Sequence, residues 1–301
     1  MKKFILWMLS GFLAVSLCAQ NVSDFDVRGN DDSTMTILNY KGADKNIVIP
    51  ETIFNMPVTH LADGSFKNKG LTGVVIPETV SFIGKETFMD NQLTTVTIPG
   101  TVEYISNSAF RSNRLTSVTI PATVEYIGDS AFRSNQITSV VIPGNVKTID
   151  VGAFRSNKLT RITIPDSVAF IGADAFRSNT ITNVQIGNGA VHIGSNAFSD
   201  NQINSLTLGN SICYIGSDAF LGHRLTTIVV PEQVVYIGSS AFTPSNQNTL
   251  INISIGKLVV VGWNNSGGAF QRNNNFDAFY VNNQMKAGRY QFASGSWRYF
   301  P

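Results

Sequence analysis

Apolar residues recur along most of this chain with a period of 22, rather than the 3.6 of one helix or the 2 of one long strand. Copies begin at Leu71, Leu93, Leu115, Ile137, Leu159, Ile181, Ile203 and Leu225, and follow LTxVxIPxxVxYIGxxAFRSNx with no insertion before the last of them. An imperfect copy, NIVIPETIFNMPVTHLADGSF, fills 46–66, and another runs from Leu250 to Asn275 with Ala269 and Phe270 in phase. FDAFYV, from Phe276, keeps the spacing of LTSVTI and predicts a tenth strand.

Within the copy at Leu115, residues 1, 4 and 6 (Leu115, Val118, Ile120) point inward while 3 and 5 (Ser117, Thr119) face out, the alternation of a strand exposed on one side. Pro121 ends that strand, since it lacks an N–H and fixes its own φ. Val124 and Ile127, at positions 10 and 13, make a second inward edge, and Gly128 at position 14 is expected to permit another turn. Ala131 and Phe132 return to the core. Position 21 is asparagine in Asn91, Asn113, Asn135, Asn157, Asn179 and Asn201, a residue able to satisfy backbone groups that a turn leaves unpaired. His223 and Ser245 break this ladder.

A unit this short cannot close a core alone, so neighbouring copies must stack around one continuous apolar interior. The predicted fold is a β-rich solenoid. The motif LxxVxIPxxVxYIGxxAFxxN, over about 46–281, resembles the BspA-like leucine-rich repeats of bacterial surface proteins. That resemblance implies a right-handed array of about ten coils with a cap at each end. It also implies adhesion: a protein ligand, either a host matrix protein or a bacterial surface protein, held on the repeat surface.

The flanks fit an array whose open ends need covering. Residues 21–45 contain SDFDVRGNDDSTMTILNYKG, which reads as a capping hairpin with a GNDD turn, and 282–301 contain KAGRYQFASGSWRYFP, two aromatic strands around ASGS. Residues 1–20, with Lys2 and Lys3 before an apolar run to Leu17, read as a secretory signal peptide, so the protein is expected to be exported. Cleavage near Ala19 is expected. VSLC at 15–18 loosely matches a lipobox, which makes lipid anchoring at Cys18 the alternative. No later stretch is apolar enough to span a bilayer as a helix. Cys213 then lacks a disulfide partner and reads as a small hydrophobe.

Composition narrows the chemistry. The chain is 43% hydrophobic and 14% charged, which allows a long core. Losing Lys2 and Lys3 turns 22 basic against 20 acidic residues into 20 against 20, a balance that argues against nucleic-acid binding. His60 and His192 share position 12 but stand six coils apart, roughly 29 Å, and His223 sits elsewhere, so they cannot share a metal. No serine lies in a GxSxG elbow, and the glycines recur as coil residues rather than as a phosphate loop. Glu103 and Glu125, with Lys147 next in line, read as a solvated stripe on an open face rather than as an acid pair in a cleft. No catalytic residue, metal or cofactor is indicated.

Three outward ladders remain as candidate partner-binding surfaces. The first is polar and lies at positions 3 and 5: Thr95 and Thr97, Ser117 and Thr119, Arg161 and Thr163. Exposed-strand propensity explains it as well as a broad docking face does. The second is aromatic, at position 12, and includes Tyr104 and Tyr126. It reads either as flank packing or as a platform for sugars, the basis of an alternative carbohydrate-binding function. The third is Arg111, Arg133, Arg155 and Arg177 at position 19, a row of like charges that is either solvated or docks an anionic partner.

Overall fold

The computed structural model describes residues 21–246, 252–256, 260–261, 268–270, 276, 280, 285–293 and 296–301. The chain is a β-solenoid whose coils are held by three parallel ladders. The most continuous one joins positions 12 and 13, as in Tyr104–Ile105, Tyr126–Ile127 and Thr148–Ile149, through a 13-stranded sheet that ends at Val260–Val261. Its other end is a hairpin, Phe25–Gly29 against Met35–Tyr40, whose second strand pairs in parallel with Met56–Leu61. The expected strands at positions 3 to 6 also form, but their pairing is interrupted. Asn46–Val48 pairs with Gly73–Val75, and Arg161–Ile164, Asn183–Ile186 and Ser205–Thr207 make a second group. Thr227–Val229 opens a third, which continues through Asn252–Ile255 into the terminal hairpin Gly288–Ala293 and Ser296–Phe300. Between the first two groups only the bridges Thr97 to Thr119 and Ser117 to Ser139 remain.

Phe66, Phe88, Phe110, Phe132, Phe154, Phe176, Phe198, Phe220, Phe242 and Phe270 form one stack through the interior, with successive ring centroids 5.2–5.5 Å apart. Tyr40 of the first hairpin stacks on Phe66 at 5.8 Å. At the far end Phe276 meets Phe270 edge-on at 5.0 Å and is itself covered by Tyr290 and Trp297 of the terminal hairpin. Phe276 and Tyr280, expected in a tenth strand, are instead helical and fully buried. Two apolar residues four apart suit one helix face as well as an alternating strand, so spacing alone could not separate them.

The turns depart from expectation in one respect. The position-7 proline ends its strand, and its carbonyl accepts from the N–H three residues on, as Pro121 does from Val124 at 3.1 Å; Gly187 and Gly209 take this place in two coils. Gly128, however, makes no left-handed turn. It is there for space: a Cβ would lie 2.7 Å from the Ile105 carbonyl oxygen of the preceding coil. The left-handed residues are those at positions 16 and 20, such as Ser130 and Ser134 (φ 55° and 57°) and Asp174 and Ser178 (φ 58° and 55°). Ser, Asp and Asn accept this conformation at lower cost than bulky or branched residues, which is why those types recur there.

The asparagine ladder is structural. Each member is only 7% exposed. Asn135 accepts from Leu115 N–H at 3.0 Å and donates to the Phe110 and Phe132 carbonyls at 2.9 and 3.1 Å, binding its own rung to the one below. His223 does not simply end this ladder. Its Nδ1 accepts from Leu225 N–H at 3.0 Å and its Nε2 donates to the Phe242 carbonyl at 3.0 Å. Those are the two groups that an asparagine at 245 would serve, and Ser245 is too short to reach them. The signal peptide at 1–20, Cys18 and most of the copy from Leu250 to Asn275 lie outside the described residues.

Candidate functional site

The interrupted ladder makes a groove of the first candidate surface. Over the coils at Leu115, Ile137 and Leu159 the position 3 to 6 strands enclose an open cleft of about 670 Å³, lined by Ser117, Thr119, Val141, Arg161 and Thr163 among others. Val141 occupies an outward position that is threonine in both neighbouring coils, and it is 81% exposed. Arg161 and Thr163 also line an adjoining cleft of about 540 Å³ that reaches Asn183 and Gln185. Thr95 and Thr97 are exposed but lie outside both clefts. Sequence periodicity puts Ser139 and Val141 on the same outward ladder, and exposure singles out Val141, because valine suits any strand position.

The aromatic ladder is mostly used up by itself. Phe170, His192, Tyr214 and Tyr236 stack in turn with centroids 4.9, 4.6 and 4.9 Å apart and planes within 12°, so each ring face meets another ring. Tyr104 is 54% exposed. Tyr126 is half-buried and its hydroxyl donates to the Asp150 carboxylate of the next coil. Burial first, and that carboxylate second, push the Tyr126 phenol up to about 12. The stripe is therefore chiefly flank packing.

The arginine row is not uniform. Asp174 accepts from Arg155 Nη1 at 3.1 Å and from Arg177 Nη1 at 3.3 Å, and Asp200 accepts from Arg177 Nε at 3.0 Å. The expected ladder of bare like charges is thus interleaved with acids over half its length, from repeat positions that the arginine spacing does not mark. Among the described residues, Arg111 and Arg133 have no acid in contact, and the Nε of each is buried without an acceptor. Burial, followed by the Arg155 and Arg111 charges, pulls the Arg133 pKa below the usual arginine value. Arg177 moves the other way, chiefly through its hydrogen bond to Asp200.

Among the described residues no three His, Cys, Asp or Glu side chains gather as a metal site. His60 packs on Phe82, and His192 lies inside the ring ladder. Glu103 and Glu125 are exposed and border none of the clefts described above. Cys213 is half-buried and free. No helix among the described residues is long and apolar enough to cross a membrane.

Among solved structures, the chain is similar to a leucine-rich cell surface protein of Faecalibacterium prausnitzii A2-165, with 23% identity over 76% of this chain and 87% of that one, at a TM-score of 0.45. It is also similar to a leucine-rich repeat protein of T. pallidum, with 19% identity, 70% and 86% coverage and a TM-score of 0.40. A leucine-rich repeat protein of Bacteroides ovatus ATCC 8483 gives 19% identity, 79% and 90% coverage and a TM-score of 0.38. No curated protein matches the chain. The model of the BspA type leucine rich repeat region, in 6 copies, matches residues 59–182 and 170–296, well over half of the sequence. The 22-residue coil is thus a known repeat, and the chain belongs to the BspA-type leucine-rich repeat family.

Proposed function

We propose that this chain is a non-enzymatic binding module, exported and displayed at the cell surface, that engages a host or bacterial surface protein through its repeats. The carrying observation is the cleft over the central coils, where the exposed Val141 sits in a frame of Ser117, Thr119, Arg161 and Thr163. An exposed valine beside the apolar lining residues Val118, Ile120, Ile142 and Ile162, with hydroxyl and guanidinium groups at the edge, suits the centre and rim of a protein interface. Nothing in the arrangement activates a nucleophile or pairs two acids. The alternative, carbohydrate binding on the tyrosine stripe, is weakened because the rings from Phe170 to Tyr236 stack on one another and offer few open faces. The test is binding of the purified chain to panels of matrix proteins, bacterial surface proteins and glycans, with Val141→Gln and a Tyr104→Ala, Tyr126→Ala variant alongside. Position 5 already carries Gln185 in the coil at Ile181, so Val141→Gln keeps the fold. Saturable binding to a protein, lost in Val141→Gln, is the expected result. Saturable sugar binding lost only in the tyrosine variant would overturn it.

A further inference from the structure

The ion pairs along position 19 follow a rule, and two arginines fall outside it. A cation there meets an acid at position 16 or 20 of the following coil: Lys67 meets Glu86 at 2.7 Å, Arg155 meets Asp174 at 3.1 Å, and Arg177 meets Asp200 at 3.0 Å. Asp174 also reaches Arg177 of its own coil, so one carboxylate bridges two successive guanidiniums. For Arg111 the corresponding positions hold Ser130 and Ser134, and for Arg133 they hold Gly152 and Ser156. The Ser130 hydroxyl is itself spent on Asp129, donating at 2.7 Å. Two half-buried cations therefore stand one coil apart, about 4.8 Å, with no carboxylate between them. Each keeps a buried Nε without an acceptor, and their mutual repulsion is unrelieved by any contact.

We propose that Arg111 and Arg133 form a binding site for a carboxylate side chain of an acidic protein segment, which takes the place that Asp174 fills between Arg155 and Arg177. The array holds the occupied version of this site two coils further along, and there the occupant is a carboxylate with one oxygen on each arginine. Guanidinium donors suit that planar anion, and partial burial of the stems limits screening by salt. The site lies on the position-19 flank and does not rest on the Val141 cleft.

The test uses the full chain and fluorescent poly-L-glutamate at low ionic strength, read by anisotropy. Arg111→Gln with Arg133→Gln is expected to weaken binding roughly tenfold or more, the scale of charge-assisted hydrogen bonds. Ser130→Asp supplies the missing carboxylate from within and is expected to weaken binding as strongly. It asks nothing new of the backbone, since Ser130 (φ 55°) and Asp174 (φ 58°) share one conformation. Val141→Gln is expected to leave poly-L-glutamate binding unchanged, which separates failure of this site from failure of the cleft. No binding by the unmodified chain, or equal binding by the chain and both position-specific variants, overturns the proposal. Dextran sulfate bound in preference to poly-L-glutamate also overturns it and assigns the row to a sulfated glycan.

Discussion

Acidification should unfasten one rung of the solenoid, the one held by His223. This imidazole is 1% exposed and holds the Leu225 N–H and the Phe242 carbonyl, a pairing that requires Nδ1 to be unprotonated. Burial pushes its pKa from 6.5 down to about 4, and its hydrogen bond to Phe242 opposes this only partly. Because the folded value lies below the unfolded one, the unfolded chain binds the proton first as pH falls. The contribution of His223 is whole above about pH 6.5 and is lost as pH falls toward 4. A depression of this size corresponds to about 3 kcal/mol at the acid limit. His223→Asn removes the titration. It keeps an acceptor near Leu225 N–H but loses the Nε2 hydrogen bond to the Phe242 carbonyl, so at neutral pH it should be about 1–2 kcal/mol less stable than the parent.

The difference between parent and variant isolates His223 from the carboxylates, which titrate in both. Urea unfolding followed by circular dichroism at several pH values gives that difference. Amide exchange at Leu225 places it locally, because a solenoid opens in segments rather than all at once. The gap should close between about pH 6 and pH 5 and reverse below that. A gap that stays constant across that range would refute the reasoning, since it would mean that His223 holds its rung equally well when protonated.

Two further outcomes follow from the coil geometry. Asn135→Ala leaves the Leu115 N–H without a partner in the interior and takes one of two amide donors from each of the Phe110 and Phe132 carbonyls, which keep Asn113 and Asn157, so it should cost about 2 kcal/mol, with amide protection lost first at Leu115. Exchange and urea unfolding check it, and a cost within about 0.5 kcal/mol, the scale of surface changes, would deny the ladder its structural role. Gly128→Ala should destabilise by about 1–3 kcal/mol, because its methyl would lie 2.7 Å from the Ile105 carbonyl oxygen and the coil must shift to take it, as the coils with Ser106 and Asp150 at this position accommodate a side chain, while Gly144→Ala, with nothing within 4 Å, should be nearly neutral. Equal melting temperatures for the two variants would show that the coils can part at position 14.

Periodicity carried most of the fold because a solenoid imposes one local environment on every copy. Leu115, Val118, Ile120, Val124, Ile127, Ala131 and Phe132 are all buried where the spacing put them, and Asn135 takes up the backbone groups its turn leaves over. What the spacing could not show depends on relations between unlike positions or on geometry that a repeat averages away. Position 14 looks like a turn glycine from its type alone, yet where it is glycine, as at Gly128, the small residue lies against the preceding coil, a closeness that the coils bearing Ser106 and Asp150 do without, and the left-handed turns belong to the serines and aspartates nearby. The breaks in the position 3 to 6 ladder arise between coils, and no single copy records them. The arginine row is the sharpest case. Its four members are equivalent by position, yet Asp174 and Asp200 neutralise two of them from positions that hold serine or glycine beside Arg111 and Arg133. In such an array the repeat builds the scaffold, and the departures from it mark where a partner could act: Val141 among threonines, and Arg111 with Arg133 where the acid is missing.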